Sequence, residues 1–328
     1  MIKALRLSLH VMAVSLCAAF LAPAHAQSDY PNKNIRFVVP FPAGGSTDIA
    51  ARLIGERLSK RLGTTVIIDN QPGANGLIGA SAVVRAKPDG YTLLVTSNGI
   101  HSAAATGTAN FSLKSDLVPV SQIVGGALML VGSKSAPFNT VQGFIDHAKQ
   151  NKDKVNIAIN AALGGAHMTF ENFRRKVGIQ YQPIYYPGEP PSLAALVSGE
   201  AAASIISAPV ARQFIEDGKV NALAVTTGGR FASLPNVPTL SETVVPGFSE
   251  GYSTVMFAPK GTPDEIVQRI SRELSEMMKS PDVERQMLDI GVTPIASTPA
   301  EYATLVSAEF DRNSQLIKDL RQAGLVDQ

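Results

Sequence analysis

Phe37-Val38-Val39-Pro40-Phe41-Pro42-Ala43-Gly44-Gly45-Ser46-Thr47-Asp48-Ile49 is the stretch from which the rest of the chain can be read. Together with Ile35, the run Phe37 to Val39 has the apolar character of a buried strand. Pro40-Phe41-Pro42 follows as a stiff turn whose prolines offer no ladder hydrogen bonds. After Gly44-Gly45 and Ser46-Thr47-Asp48, apolar residues recur at Ile49, Leu53, Ile54, Leu58 and Leu62, the spacing of a one-sided helix. The stretch therefore reads as strand, bare backbone loop and helix N-terminus. Free backbone N–H groups at such a start bind an anion through aligned dipoles, and glycines let the anion approach closely. The ordinary alternative is a strand-to-helix turn in which Ser46 or Thr47 caps the helix and Asp48 complements its dipole.

Ahead of this stretch, Lys3 and Arg6 precede an apolar run from Leu7 to Leu21, and Ala24-His25-Ala26 has the small-x-small form of a cleavage site. Residues 1–26 are expected to be a cleavable signal peptide that exports the mature chain to the periplasm. The single cysteine is Cys17, so the mature protein is expected to have neither disulfide nor thiol chemistry. The whole chain carries 29 Lys+Arg and 27 Asp+Glu, and loss of Lys3 and Arg6 with the leader brings the two into balance. That balance gives no sign of a nucleic-acid partner or an anionic membrane surface. No later apolar run approaches the ~20 residues needed to span a bilayer, and 328 residues allow two domains.

Downstream of the first helix, Gly63 is placed as a C-cap, and Thr64 to Ile68 form a second strand ending at Asp69-Asn70. A turn-rich loop from Gln71 to Gly79 leads to a short helix that stops at Lys87-Pro88-Asp89-Gly90. Tyr91 to Thr96 is the third strand, ending in Ser97-Asn98-Gly99. This alternation predicts a parallel, doubly wound sheet with ligands beyond the carboxyl ends of its strands, where Phe41 to Thr47 and Ser97-Asn98 lie. G-x-G-x-x-G is absent, which argues against a nicotinamide cofactor.

P-F-P-A-G-G-S-T-D at 40–48, N-x-P-G-A-x-G at 70–76 and P-D-G-Y-T-L-L at 88–94 are joined by L-x-P-V-S at 117–121, G-R-x-x-x-L-P-x-V-P-T at 229–239 and A-P-K-G-T-P at 258–263. In this order, and over nearly the whole mature chain, they resemble the periplasmic solute-binding proteins of tripartite tricarboxylate transporters, the Bug receptors. The resemblance implies an α/β, two-lobed periplasmic binding protein type II fold, each lobe a mostly parallel sheet flanked by helices, joined by crossing strands. It places residues 27–130 plus 251–328 in a discontinuous first lobe and 131–250 in the second, with crossings at Leu128 to Gly132 and Tyr252 to Phe257. It further implies a monomer that takes a small carboxylate ligand to the membrane permease subunits of a transporter, with no cofactor, no metal and no catalytic residue.

The second lobe also reads as α/β from its own residues. Thr140 is set to cap a helix carrying Val141, Phe144, Ile145 and Ala148 on one face. The strand Val155 to Asn160 and the loop Ala161 to Gly165 then lead into a helix with Met168, Phe170 and Phe173. This repeats the opening junction, and two such helix starts facing one cleft would grip both ends of a dicarboxylate. The ligand-binding candidates are Phe41, Ala43, Gly44, Gly45, Ser46, Thr47, Ser97, Asn98, Ile159, Asn160, Gly164, Gly165, His167, Tyr186 and Ser207. The segments around them contain no lysine or arginine, so a bound carboxylate must rely on backbone N–H, hydroxyl, amide and helix-end donors.

Against the family pattern Y-A-S-S-G-x-G-T-x-x-H, residues 157–167 keep the length and His167 but carry Ile159, Ala161, Leu163 and Gly164 where serine, glycine and threonine are usual. Aspartates common in the family are replaced by Ala202 and Ile206, and Tyr252 stands where many members have tryptophan. If Ile159 and Leu163 face the cleft, they form an apolar wall that suits an aromatic dicarboxylate such as terephthalate, or a longer aliphatic one such as adipate. If they pack inside the lobe, that preference falls. His167 either donates to the anion or caps and packs, and Tyr186 either stacks on the ligand or lines the cleft. Two other function classes remain open: an exported hydrolase of carboxylate esters, and a ligand-sensing receptor for a membrane signalling partner.

Overall fold

The computed structural model describes residues 30–231 and 234–322. The expected signal peptide and Cys17 lie outside the described residues. Residues from Lys33 onward form one compact unit, whose elements are as follows.

The opening junction forms as its pattern dictates. β1 (Ile35–Val39) is almost wholly buried, and α1 (Ser46–Leu62) ends at Gly63, whose φ of 66° needs the left-handed region that glycine enters freely. β2 (Val66–Asn70), α2 (Leu77–Val84), β3 (Thr92–Ser97), α3 (Gly99–Ala105) and α4 (Leu113–Asp116) follow. β1 pairs in parallel with both β2 and β3, as alternating strands and helices require. The 17-residue β4 (Leu117–Ser133) then carries the chain from one half of the molecule to the other.

The second half contains α5 (Val141–Gln150), β5 (Asn156–Ile159), α6 (Gly165–Val177), β6 (Gln182–Tyr185), α7 (Glu189–Ser198), β7 (Ala203–Ser207), α8 (Ala208–Glu216), β8 (Val220–Val225) and α9 (Leu240–Thr243). β9 (Gly251–Pro259), α10 (Asp264–Met278), α11 (Pro281–Asp289), β10 (Val292–Pro294) and α12 (Pro299–Gln322) complete the chain. Thr140 caps α5 as expected, accepting from Gly143 N at 3.1 Å.

The strand order is β2-β1-β3-β9-β4-β7-β5-β6, with β8 and β10 also paired to β4. Parallel triplets lie at each flank, β2-β1-β3 and β7-β5-β6, and antiparallel pairs through β4 and β9 fill the centre. β4 pairs with β9 from Leu117 to Ala127 and with β7 from Leu128 onward. The register thus changes partner between Ala127 and Leu128. Each half has its own apolar core: Val38, Leu94, Ile100, Phe257 and Tyr302 in the first, Met129, Val131, Leu196, Ile206 and Val225 in the second. The result is an α/β fold of two lobes.

Candidate functional site

Helix α1 opens without a side-chain cap. Its N-cap is Gly45, extended at φ −77° and ψ 164°, while Ser46 and Thr47 lie inside the helix as its first two residues. Neither is therefore the cap of an ordinary turn. Asp48 shapes the loop from within: its Oδ2 accepts from Gly44 N and from Arg52 Nε, each at 2.9 Å, and its Oδ1 accepts from Asn70 Nδ2 at 2.9 Å. The same Asn70 amide donates to the Phe41 carbonyl at 3.1 Å. Burial pushes the Asp48 carboxyl up, but the Arg52, Gly44 and Asn70 donors outweigh it and hold the pKa below its ordinary value. Asp48 and Asn70 are thus scaffolding that aims the first N–H groups of α1 outward.

Helix α6 begins the same way. Its N-cap is Gly164 at φ −75° and ψ 170°, again with no side-chain cap, and Leu163 before it is left-handed at φ 58°. Met168 N donates to Gly164 O, so the N–H groups of Gly165, Ala166 and His167 have no acceptor within the helix. Most other helices likewise lack a side-chain cap; α5 and α9 are closed by threonine side chains, α9 with a full capping box between Thr239 and Glu242. In α1 and α6 the backbone donors are left for something outside the helix.

Both starts open on one cavity of about 90 Å³. Its wall includes Phe41, Gly45, Ser46 and Thr47 from the first junction, Ser97 and Asn98 from the end of β3, and Asn160, Gly164 and Gly165 from the second junction. These nine candidates are brought together as the strand–loop–helix pattern predicts. Asn98 also fixes β9, its Oδ1 accepting from Ser253 N at 3.0 Å. Asn75, left-handed at φ 53°, lines the cavity and donates its amide to the Ala162 carbonyl, tying the two lobes together.

Six candidates lie elsewhere. Ala43 and Gly44 sit outside the wall, Gly44 at the rim beside Pro190. Ile159 is 3% exposed inside the second lobe, and Ile206 is fully buried there; Leu163 is not part of the wall either. Ile159 and Ile206 are therefore core packing, whereas Leu163 is half-buried and belongs neither to the cavity wall nor to the buried core. The apolar surface of the cavity comes instead from Phe41, Pro42, Leu128 and Tyr252.

His167 is engaged on both ring nitrogens. Nδ1 accepts from Leu163 N at 2.9 Å, and Nε2 lies 3.0 Å from the Tyr181 hydroxyl, which itself donates to Glu171 Oε1 at 2.9 Å. Glu171 is clamped in turn by Arg174 through two bonds of 2.6 Å. Nε2 must then carry the hydrogen, and burial holds the imidazole pKa below its usual value. His167 is a neutral strut under the loop. Tyr186 packs against the second lobe's core, and Ser207 contributes its backbone but not its hydroxyl, which is buried without a partner.

Of the wall residues outside the candidate set, two bear most on the chemistry. Tyr252 is 7% exposed, and its hydroxyl has no hydrogen-bond partner. Burial and then the Glu189 charge raise its pKa well above the usual range, so it stays a donor. Its ring lies over Gly126, where a Cβ would collide with it. Glu189 is the second. Its Oε2 accepts from Ser46 N at 3.0 Å and its Oε1 from Ser207 N at 2.7 Å. Among the described residues, no lysine or arginine lines the cavity, and Glu189 is its only charged side chain. Gly188-Glu189-Pro190 carries the acid at a helix start, but its partners Ser46 N and Ser207 N are distant in the sequence.

A broader cavity of about 700 Å³ lies on the other side of Tyr252, Asn98, Gly99 and Gly165. Its acids are engaged internally, Glu171 with Arg174, Glu309 with His101 and Glu250 with Asn172. His101 and His147 make their bonds outside the smaller cavity, with Glu309 and Asn151 respectively. Among the described residues, no acid or histidine cluster could hold a metal ion, and no helix is long and apolar enough to cross a membrane.

Comparison with known proteins bears on the same arrangement. The family described as tripartite tricarboxylate transporter family receptor matches residues 50–322. Protein BugT of Bordetella pertussis (strain Tohama I) is 31% identical over 314 residues, covering 95% of this chain and 96% of the relative. An R. palustris protein solved with adipate superposes with a TM-score of 0.84 at 32% identity, over 90% of this chain and 98% of the other. The periplasmic binding protein BugD does so with a TM-score of 0.83 at 28% identity, over 91% and 100%.

Proposed function

This chain belongs to the tripartite tricarboxylate transporter receptor family, and from that premise we propose that it is a periplasmic receptor that closes on a small carboxylate and delivers it to a transporter's membrane permease. The observation that carries the reading is the pair of helix starts without a side-chain cap, α1 and α6, opening on one cavity with no lysine or arginine in its wall among the described residues. Helix N-termini favour an anion by about 0.3–1 kcal/mol each when exposed and up to ~2 when partly buried. Charge-assisted hydrogen bonds add about 1.5–3 kcal/mol apiece. The buried Tyr252 hydroxyl supplies a further donor.

On this reading residues 1–26 are a signal peptide removed on export, and the mature protein acts as a monomer without cofactor or turnover. The closing lobes are 27–130 with 251–328, and 131–250. Their hinge is supported by the change of partner along β4 at Ala127–Leu128 and by the return of the chain through β9 at Gly251. The adipate bound by an R. palustris relative keeps dicarboxylates among the ligand classes to be tried. Ile159 is buried and Leu163 lies outside the cavity wall, so neither supports a specifically aromatic or long-chain diacid.

A thermal-shift screen of the mature protein against mono-, di- and tricarboxylates tests the reading. A ligand at about 100 times its Kd stabilises the folded state by about 2.7 kcal/mol. The expected result is a rise in melting temperature with one class of carboxylate and none with its methyl ester, the carboxylate being recovered unchanged. No shift across the panel, or consumption of the ester, removes the receptor reading.

A further inference from the structure

Glu189 spans the two lobes through hydrogen bonds that a ligand carboxylate would otherwise be expected to make. Its residue belongs to the first turn of α7 in the second lobe, yet Oε2 is held by Ser46 N, the first N–H of α1 in the first lobe. Oε1 is held by Ser207 N, at the start of α8. The α1 end of the cavity is thus already supplied with an anion, whereas the start of α6 keeps its backbone donors unengaged within the helix and the Tyr252 hydroxyl has no partner.

A dianionic ligand bridging the helix starts would meet this carboxylate. Like charges brought together in a partly desolvated site are strongly disfavoured. Expelling Glu189 would break bonds to two backbone donors, both at helix starts where negative charge is favoured. A ligand that leaves Glu189 in place must instead offer it a hydrogen-bond donor. We infer that Glu189 sets the specificity of the cleft: the ligand is an acid whose carboxylate lies at the α6 start and whose other end carries a donor, an ammonium, primary amide or hydroxyl, directed at Glu189. The inference rests on the carboxylate-receptor reading and narrows its ligand class from diacids to acids with a donating end.

The test uses matched probes that differ only at the distal end. Succinamate and 4-aminobutyrate are compared with succinate and glutarate, and the same pairing is made at three to six carbons, by calorimetric titration of the wild type and Glu189→Gln. The wild type should prefer the donor-bearing acids by at least tenfold. Glu189→Gln, which keeps the shape and loses the charge, should lose that preference and gain at least tenfold for the diacids. Equal preference ratios in the two proteins overturn the assignment. A uniform gain for all probes in the variant also overturns it, since Glu189 would then be only a competing anion that every ligand must displace. Glu189→Ala, checked by its melting temperature, separates loss of charge from loss of fold. Absence of binding by any carboxylate to wild type and variants alike would count against the receptor reading itself.

Discussion

Individual side chains near the cleft divide between those that shape it and those that face it, and residue type does not tell them apart. His167 has the chemistry of an anion ligand, yet both ring nitrogens are engaged, by Leu163 N and by Tyr181. Its depressed pKa makes it a pH-dependent strut. The unfolded chain takes up a proton near the usual value of 6.5, whereas the folded one resists it. The stabilisation is therefore complete above about pH 6.5 and is lost as pH falls below that towards the folded-state pKa. Melting curves from pH 8 to pH 5 should show a steeper decline for the wild type than for His167→Gln; parallel declines would show that the strut does not titrate. Ile159, which on sequence grounds stood as a possible ligand contact, is simply core.

Among the elements, the start of α1 carries its function in the backbone, and substitution there should reflect that. Ser46 donates through N and not through its hydroxyl in the bond to Glu189. Ser46→Ala should be close to neutral. Ser46→Pro removes the donor while respecting the helix, because proline suits the first helical position and Gly45 before it is already extended at φ −77° and ψ 164°. The proline variant should lose about 1.5–3 kcal/mol for a hydrogen bond to a charged group, partly offset by ~0.4–1 kcal/mol from a stiffer unfolded chain. Urea midpoints of the two variants measure the difference, and equal midpoints would mean that the Ser46–Glu189 bond contributes nothing to the closed cleft. The cap of α6 is less tolerant, since a Cβ on Gly164 would stand 2.8 Å from that of Ala161.

For the whole molecule, β4 is the strand that the two lobes share. It pairs with β9 and β10 in the first lobe and with β7 and β8 in the second, without a break in the strand. Loss of either lobe would strip half of its partners. Ligand-free unfolding is therefore expected as a single calorimetric transition with calorimetric and van't Hoff enthalpies in agreement. Two resolved transitions would show that the lobes fold independently of the shared strand.

Elements under short-range control are legible in the residues alone. The apolar run Phe37 to Val39, the glycine pair before Ser46 and the 3.6-residue spacing from Ile49 to Leu62 specify strand, loop and helix locally, as do Thr140 and Gly63 at their caps. The same logic made the second junction legible at Asn160 to Gly165, and with it most of the cavity wall. Only the tertiary structure decided which side chains turn inward. Ile159 and Ile206 lie on central strands that are buried almost throughout by their neighbours, and Glu189 reaches a donor 143 residues earlier in the chain. Tyr252 enters the cavity because β9 is laid between β3 and β4. Periodicity reports that a side chain lies on a face; which lobe, core or cleft that face meets is set by long-range pairing, which no local pattern encodes.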